Sequence, residues 1–561
     1  MTAATRAVKG GSFLIEERDQ SEVFTPENLS EEHRAIGRTA AQFFANEVAP
    51  HLEAIQHQEP GVAVGALRKA ASLGLTSMAI PEEYGGLAMD LASAMVVAEQ
   101  IAGDGSYAAW HGAHTGIGTL PIVYFGTEEQ KRKYLPKLAT AEMIAAYALS
   151  EPHAGSDALA ARTRADLSPD GTHYVLNGQK MWITNGGAAD LFTVFAKIGG
   201  EQFTAFLVER GFGGVTSGAE EKKMGIKGSS TTAIYLDNVR VPVENVLGEI
   251  GRGHIIAFNI LNIGRLKLGA FALGGARRVL AESIRYAKDR KAFGATIASF
   301  GAIQHKLAEM AIRLWAAESM VWRTVGLILP DESLKGIEEY AVECSIIKVA
   351  ASEMLDYVTD EGVQIHGGYG YHQDYAVERA YRDSRINRIF EGTNEINRLL
   401  IPGMLMKRAM RGQLGLVAAA QKVMGEITGG LPAESGDEET RLVGNARRIA
   451  LLTMGLAYQK FAMELEKQQE VLMAIADIII DLYAMESSLL RSQKTKSGGP
   501  FTTVLLRTAM ARIEVAARTV LSACSEGDGL RTNMAVLRKF ARYEPVNEVA
   551  IRREIAARLL G

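Results

Sequence analysis

The chain has 561 residues, of which 47% are hydrophobic and 22% charged, and its formal net charge is -4. This length predicts three or four domains with large cores, the composition is typical of a soluble globular protein, and the small charge argues against nucleic acid as a partner. The two cysteines, Cys344 and Cys524, exclude a disulfide framework and a thiolate zinc site.

The first twenty residues lack the apolar core of a signal peptide, and acids follow soon after Arg6 and Lys9. No stretch is predicted to span a bilayer, because the best candidate, Val471 to Met485, carries two aspartates. We therefore expect a cytoplasmic protein if the source is bacterial. A mitochondrial matrix protein is expected only if a transit peptide has been removed.

Helical periodicity dominates the first part of the chain. We predict an N-terminal extension over residues 1–29 and an N-terminal α domain over 30–145. Apolar residues at three- and four-residue steps predict helices from Glu31 to Val48, Val64 to Leu73 and Ala92 to Gly103. The segment 81–86 is predicted to be a loop between two of them.

Short alternating runs then predict a middle β domain over residues 146–250. The predicted strands are Tyr174–Leu176, Lys180–Thr184, Leu191–Phe195 and Phe203–Val208. The turns predicted around these strands are Asp170-Gly171, Asn177-Gly178, Asn185-Gly186-Gly187 and Gly199-Gly200.

Helical periodicity returns over residues 251–410, with long helices predicted from Ala276 to Lys291, Gly301 to Leu327 and Glu338 to Gly362. A linker over 411–440 includes a Gly- and acid-rich stretch at 429–439, and a C-terminal helical domain follows over 441–561. The predicted fold class is α+β and mostly α. It comprises an N-terminal helical domain, a middle β-barrel or sandwich domain, a four-helix bundle and an extra C-terminal helical domain.

The sequence lacks the common nucleotide, hydrolase and metalloprotease motifs. No G-x-G-x-x-G opens a strand–helix pair, and no P-loop, G-x-S-x-G or H-E-x-x-H is present. His111 and His114 lie close together without a cysteine or acid cluster, so we predict structural histidines and no metal.

One carboxylate stands in an unusual setting. Glu391 follows the bulky Ile389 and Phe390 and precedes a Gly-Thr turn. If it faces an apolar cavity, desolvation raises its pKa and makes it a proton acceptor near neutral pH. A helix-end acid that accepts backbone N–H groups is an equal alternative from these residues alone.

Three further stretches each carry two interpretations. The segment Tyr147 to Asp157 could bind a polar ring or a phosphate, or be a domain-linking turn. On a strand, Trp182 and Thr184 share one face and could stack on and hydrogen-bond a heteroaromatic ring, or Trp182 could belong to a β core. Arg290 could hold a pyrophosphate or be a surface arginine at a helix end.

Together these stretches closely resemble the acyl-CoA dehydrogenase family. The matching motifs, in family order and spacing, are YALSEPHAGSDALA, KMWITNGG, DRKAFG, and GVQIHGGYG running on to RIFEGTNEI. The extra helical segment is similar to that of the very-long-chain branch. The resemblance implies an enzyme that uses FAD to oxidise fatty acyl-CoA to trans-2-enoyl-CoA in β-oxidation and passes electrons to electron-transferring flavoprotein.

The resemblance also implies roles for individual residues. Glu391 matches the catalytic base, and Gly264 stands where some members carry an alternative base. The positions that match FAD contacts are Tyr147, Leu149, Ser150, Ser156, Trp182, Thr184, Arg290, Phe293, Gln304, Gln364, Gly368, Thr393 and Glu395, with Arg290, Phe293, Gln304, Gln364 and Gly368 reaching the FAD of a neighbouring subunit. The expected substrate positions are Arg265, Ser156, Ala108, Gly112, Phe390 and Gly392.

Several alternatives stay open at this point. The small residues Ala108 and Gly112 favour a long acyl chain, or reflect close helix packing. An acyl-CoA oxidase and a flavoprotein with a respiratory-complex assembly role are alternative functions. The stretch from Leu414 to Ile427 could contact a membrane surface, but its few basic residues favour a packing domain. In the branch it resembles, that domain covers the surface used to form tetramers, so we expect a homodimer.

Overall fold

The structure is a computed structural model that describes residues 8–429 and 436–561. The first seven residues of the predicted extension and residues 430–435 of the predicted linker lie outside these ranges. Within them, the order of helices, sheet and helices confirms the predicted fold class.

Helices build the part of the chain that precedes the sheet. They are α1 Glu31–Phe43, α2 Leu52–Gln56, α3 Val62–Ser72, α4 Leu91–Ile101, α5 Gly105–Gly112, α6 Leu120–Phe125 and α7 Glu128–Ala139. Side chains cap the starts of several helices: the Asp90 carboxylate accepts from the Ser93 N–H at 2.9 Å, and Asp104 accepts from the Tyr107 N–H at 3.0 Å. The three helices predicted here are confirmed, and α1 continues as a π-helix through Val48.

The middle of the chain forms one eight-stranded sheet in the order β6-β7-β3-β2-β4-β5-β8, with β1 paired to β4. The strands are β1 Ala145–Ala148, β2 Arg164–Leu167, β3 His173–Thr184, β4 Leu191–Ile198, β5 Gln202–Glu209, β6 Val215–Ser217, β7 Thr231–Pro242 and β8 Val246–Leu247. The predicted turn at Asn177-Gly178 is wrong, because β3 runs through it. The register against β7 shifts between Leu176 and Gly178, so these residues form an irregularity inside one strand.

The helical bundle follows. Its helices are α8 Gly253–Asp289, α9 Gly301–Ile328, α10 Leu334–Glu339, α11 Ala341–His366, α12 Ala376–Ser384 and α13 Asn394–Met410, and a two-stranded hairpin, β9 Lys291–Ala292 and β10 Ala295–Thr296, follows α8. Helix α8 begins well before the predicted Ala276. It is also long and apolar enough to cross a membrane by length and composition, which the sequence analysis did not predict. Since 72% of its most apolar window is buried, α8 is the central helix of the bundle.

The C-terminal helices pack against the bundle. They are α14 Leu416–Gly429, α15 Glu438–Phe461, α16 Gln469–Thr495, α17 Gly499–Cys524, α18 Gly527–Phe540 and α19 Glu548–Leu560. Buried ion pairs join α9 to α16, with Arg323 at 2.8 Å from Glu486 and Glu318 at 2.7 Å from Arg491. Leu416 and Val423 of the predicted amphipathic stretch are buried within the protein, which favours the packing interpretation over membrane contact.

Candidate active site

Glu391 lies in a tight turn between α12 and α13. Its backbone has a φ of +60°, and Gly392 follows with a φ of +81°. A left-handed backbone is uncommon for a glutamate and points to a functional constraint. Thr393 then starts α13, and its hydroxyl accepts from the Ile396 N–H at 3.2 Å. The turn places the Glu391 side chain on the wall of a cavity.

The cavity has a volume of about 510 Å³ and lies between α5, α8 and the Glu391 turn. It brings together five of the residues that we predicted from the sequence, which come from three separate parts of the chain. They are Ala108, Gly112, Thr184, Phe390 and Glu391. The fold therefore brings these five residues to one cavity, and their roles in a site stay a prediction.

The Glu391 carboxylate is poorly solvated. Its Oε2 is buried and has no hydrogen-bond partner in the described part of the chain. Burial raises the pKa of Glu391 to about 7, against the opposing charges of Arg265 and Lys348. A carboxylate with this pKa is divided between its two protonation states near neutral pH, as a general base requires.

Arg265 of α8 contacts the backbone of the Glu391 turn. Its Nε donates to the backbone carbonyl of Glu391 at 3.1 Å, and its Nη1 donates to Asn262 at 3.0 Å. Arg265 is buried and does not line the cavity. Arg265 therefore holds the Glu391 turn in place. The substrate contact that the resemblance implies for Arg265 stays a prediction.

Lys348 is a buried charged residue next to the Glu391 turn that was not predicted from the sequence. Its buried Nζ donates to Asn394 Oδ1 at 2.6 Å, directly after the Glu391 turn. Burial lowers the pKa of Lys348 to about 7, and the nearby Glu391 opposes this shift. The sequence signal was a lysine inside the apolar run Ile346-Ile347-Lys348-Val349 of α11, where an ammonium needs a specific partner.

Gly264 makes room for the carboxylate. A Cβ atom at this position would lie 2.7 Å from Glu391 Oε2 and 3.0 Å from Glu391 Cδ. Any larger residue on this face of α8 therefore collides with the proposed base. From the sequence, Gly264 was expected only to lack the carboxylate of the alternative base. In the structure, its missing side chain also leaves the space that the Glu391 carboxylate occupies.

We expect Gly264→Ala to lower kcat by about tenfold to a hundredfold, because the added methyl displaces the Glu391 carboxylate, and small misplacements of catalytic groups have effects of this size. Steady-state turnover of an acyl-CoA checks this, with flavin content measured in parallel. Gly403→Ala in α13 is the control, since a Cβ there would meet no atom within 4 Å and Gly403 does not line the cavity. A Gly264→Ala variant with unchanged turnover would contradict the steric role.

The residues predicted to contact the flavin from one subunit lie on β1, in the segment that follows β1, and on β3. Tyr147 and Leu149 are buried, Ser150 is half-buried and Ser156 is exposed. A register shift in β3 between Lys180 and Ile183 breaks the simple alternation expected for Trp182 and Thr184. Trp182 has a φ of +57° and is 61% exposed. The indole therefore does not belong to the β core and is available to a planar ligand.

The residues predicted to hold a neighbouring subunit's FAD form a second region. Arg290 and Gly368 line a cavity of about 630 Å³, and the Arg290 guanidinium lies 5.3 Å from the centre of the Tyr369 ring. Phe293, in the β9–β10 turn, has a φ of +52° and is 97% exposed, and its ring packs edge-on against Phe300. No lining residue is common to this cavity and the Glu391 cavity.

The other predicted positions are less distinctive. Gln304 donates to the Ala298 carbonyl at 3.1 Å, and Gln364 is exposed at the end of α11. Glu395 is exposed in the first turn of α13. His111 and His114 each bond a backbone carbonyl, those of Leu75 and Leu138, and are structural histidines.

Comparisons with known proteins match nearly the whole chain. Four acyl-CoA dehydrogenase family models match it, namely the N-terminal domain over residues 30–142, the middle domain over 146–239, and two C-terminal domains over 251–405 and 445–539. A protein of Bacillus subtilis described as "Probable acyl-CoA dehydrogenase" is 48% identical, over 98% of this chain and 97% of its own.

Two further relatives are informative. The very long-chain specific acyl-CoA dehydrogenase of Homo sapiens is 40% identical over 76% of this chain and 69% of its own. The crystal structure of an acyl-CoA dehydrogenase complexed with FAD from Bacillus anthracis is 52% identical, covers 99% of both chains and has a TM-score of 0.96. The chain therefore belongs to the acyl-CoA dehydrogenase family, whose members are FAD-dependent oxidoreductases.

Proposed function

We propose that this protein removes hydrogen from the α- and β-carbons of long-chain acyl-CoA, with Glu391 as the base that takes the α-proton. The observation that carries the proposal is the buried Oε2 of Glu391, which finds no hydrogen-bond partner among residues 8–429 and 436–561 and lies on the wall of a cavity that Thr184 also lines. An unsatisfied buried carboxylate oxygen is costly and indicates a ligand or a catalytic role.

The residues of the chain fit FAD. The exposed ring of Trp182 offers a stacking surface next to Thr184, which already lines the cavity. Arg290 has no acidic partner in the described part of the chain and can meet a pyrophosphate by a forked contact. Bound FAD supplies the hydride acceptor for the β-carbon.

The protein then aligns and deprotonates the substrate. Glu391 accepts the α-proton, while its backbone N–H donates to the thioester carbonyl and stabilises the negative charge that develops there. Arg265 donates to the Glu391 carbonyl at 3.1 Å and so fixes the backbone of this turn. The Glu391 carboxylate and the Glu391 N–H belong to the same residue and are positioned together. An acyl chain that fills the cavity excludes water and keeps the pKa of Glu391 raised. The product is a trans-2-enoyl-CoA.

The shape of the cavity supports a long acyl chain. Its wall includes residues of α8 from Ile260 to Arg285, a length of roughly 37 Å at 1.5 Å per residue. Small residues of α5, including Ala108 and Gly112, keep the cavity open beside this helix. The similarity to very long-chain specific relatives points to the same substrate range.

The separation of the two cofactor regions supports a homodimer. Arg290 and Gly368 line a cavity with no residue in common with that of Glu391, and Phe293 is almost fully exposed. We infer that these residues complete the FAD site of a second copy. Electron-transferring flavoprotein is the proposed electron acceptor.

Anaerobic titration with butanoyl-, octanoyl- and hexadecanoyl-CoA tests the proposal. We expect hexadecanoyl-CoA to bleach the flavin absorbance fastest, because the cavity is long and apolar around Ala108 and Gly112. If the bleaching rate is highest with butanoyl-CoA, the long-chain assignment is refuted. If none of the three thioesters bleaches the flavin, the proposed dehydrogenase activity is refuted. Peroxide release in air without an added acceptor would identify an acyl-CoA oxidase instead.

A further inference from the structure

A lysine lines the acyl cavity beside the apolar residues Leu268 and Phe271. Lys267 lies on α8 one turn after Gly264, is 8% exposed, and contributes to the cavity wall. Its Nζ donates to the Thr115 hydroxyl at 2.6 Å. Gly116 lines the cavity together with Lys267, and a Cβ atom at this glycine would come into van der Waals contact with the same Nζ, at 3.7 Å.

The structure provides no counter-ion for Lys267. In residues 8–429 and 436–561, no aspartate or glutamate forms an ion pair with it. Its ionisable neighbours are His111 and His114. Burial, together with the charge of Lys267, lowers the pKa of both histidines, to about 4 for His114, so they are neutral at physiological pH.

An ammonium group in this position has unused binding capacity. Burial lowers the pKa of Lys267 to about 8, which keeps most of the side chain protonated at pH 7. An ammonium has three N–H donors, and the Thr115 hydroxyl takes one of them. A buried charge without an opposite charge is strongly unfavourable, so packing against Thr115 alone does not account for this residue.

We propose that the cavity also accepts acyl-CoA thioesters whose chain carries a carboxylate, and that Lys267 pairs with this carboxylate and determines specificity for it. This inference rests on the proposed dehydrogenation. It adds a second class of substrate to the acyl-CoA thioesters with long methyl-ended chains. The carboxylate supplies the missing charge and would occupy the cavity that Lys267 and Gly116 both line. The reaction at the α- and β-carbons is the same for both classes.

The position of Lys267 restricts the length of such a substrate. Gly264 faces the Glu391 carboxylate, and Lys267 follows three residues later, about 4.5 Å further along the helix axis. The bound carboxylate therefore lies only a few carbons beyond the reacting pair. The cavity continues past Lys267 to Phe271 and Gly275, so a long methyl-ended chain can pass beside the ammonium group.

The test compares matched substrates on the FAD-loaded enzyme. Hexanedioyl-, octanedioyl- and decanedioyl-CoA are compared with hexanoyl-, octanoyl- and decanoyl-CoA by kcat/KM and by anaerobic bleaching. We expect the wild type to favour the diacid at one of these lengths at least tenfold. Lys267→Met should reduce this ratio of diacid to monoacid at least tenfold, and Lys267→Arg, which keeps the charge, should retain a preference for the diacid.

The outcomes are distinguishable. Oxidation of hexadecanoyl-CoA without any diacid preference in the wild type would overturn this inference and leave the proposed function intact. No oxidation of either class would overturn the proposed function. An unchanged ratio in Lys267→Met, or a loss of bound FAD that accounts for its lower activity, would show that Lys267 serves the fold or the cofactor. If Lys267→Met does not fold, the ratio of diacid to monoacid kcat/KM in the wild type alone decides whether the inference holds.

Discussion

Glu391→Gln is expected to lower kcat for acyl-CoA oxidation by at least about a thousandfold, within the range found when a general base is removed. Glutamine matches the shape of the side chain but cannot accept the α-proton. The amide fits the space that Gly264 leaves open, so the variant should keep its bound FAD and its affinity for acyl-CoA. Dye-coupled turnover, flavin absorbance and acyl-CoA titration measure the three properties separately.

The pH dependence of the wild type identifies the base. Burial raises the pKa of Glu391 to about 7, and only the deprotonated carboxylate can accept a proton. The kcat/KM of the wild type should therefore rise with pH through about 7, and Glu391→Gln should lose this rise. Glu32→Gln, at an exposed acid of α1, is the control. Turnover close to that of the wild type in Glu391→Gln would show that another group is the base.

The amphipathic helices were predictable because one face of each is polar. Helix α9 was predicted from Gly301 to Leu327 and runs from Gly301 to Ile328. Helical periodicity was predicted from residue 251, but the long helix was predicted to start only at Ala276. The first part of α8 is largely buried, and its buried residues include polar ones such as Asn259 and Asn262, so no distinct polar face marks where the helix begins. The predicted turn at Asn177-Gly178 has turn-forming residues, but pairing with β7 overrides this local preference.

The candidate base was predictable from its local motif and the family resemblance. The steric role of Gly264 was not, because it depends on which face of α8 meets the Glu391 turn. The positions of Lys267 and Lys348 could not be predicted for the same reason. Each is a single charge within an apolar run, of α8 and α11 respectively, and the sequence does not show which neighbouring element its side chain meets. The cofactor regions around Trp182 and Arg290 could be predicted as motifs, but the two separate cavities could not.

A buried ion pair holds the proposed flavin segment to the sheet. Lys180 Nζ lies 2.7 Å from Glu151 Oε1 and 3.3 Å from the Leu149 carbonyl. Glu151 also accepts from the N–H groups of Arg162 and Thr163, at 2.6 and 3.1 Å. Burial would raise the pKa of Glu151, but Lys180 and these donors lower it below its usual value, so the carboxylate is ionised at pH 7. One ammonium group thus connects β3 to the segment that follows β1.

Lys180→Met is therefore expected to destabilise the protein by about 3–5 kcal/mol, because it leaves the Glu151 carboxylate buried without its cation. The variant should also bind less FAD, since Leu149 loses its link to the strand that carries Trp182. Thermal unfolding and the ratio of flavin to protein absorbance measure the two effects. Lys180→Met combined with Glu151→Gln should recover part of the lost stability, as both charges are then absent, and Lys222→Met at an exposed lysine is the control. If Lys180→Met unfolds at the wild-type temperature with full FAD content, the pair does not support the flavin segment.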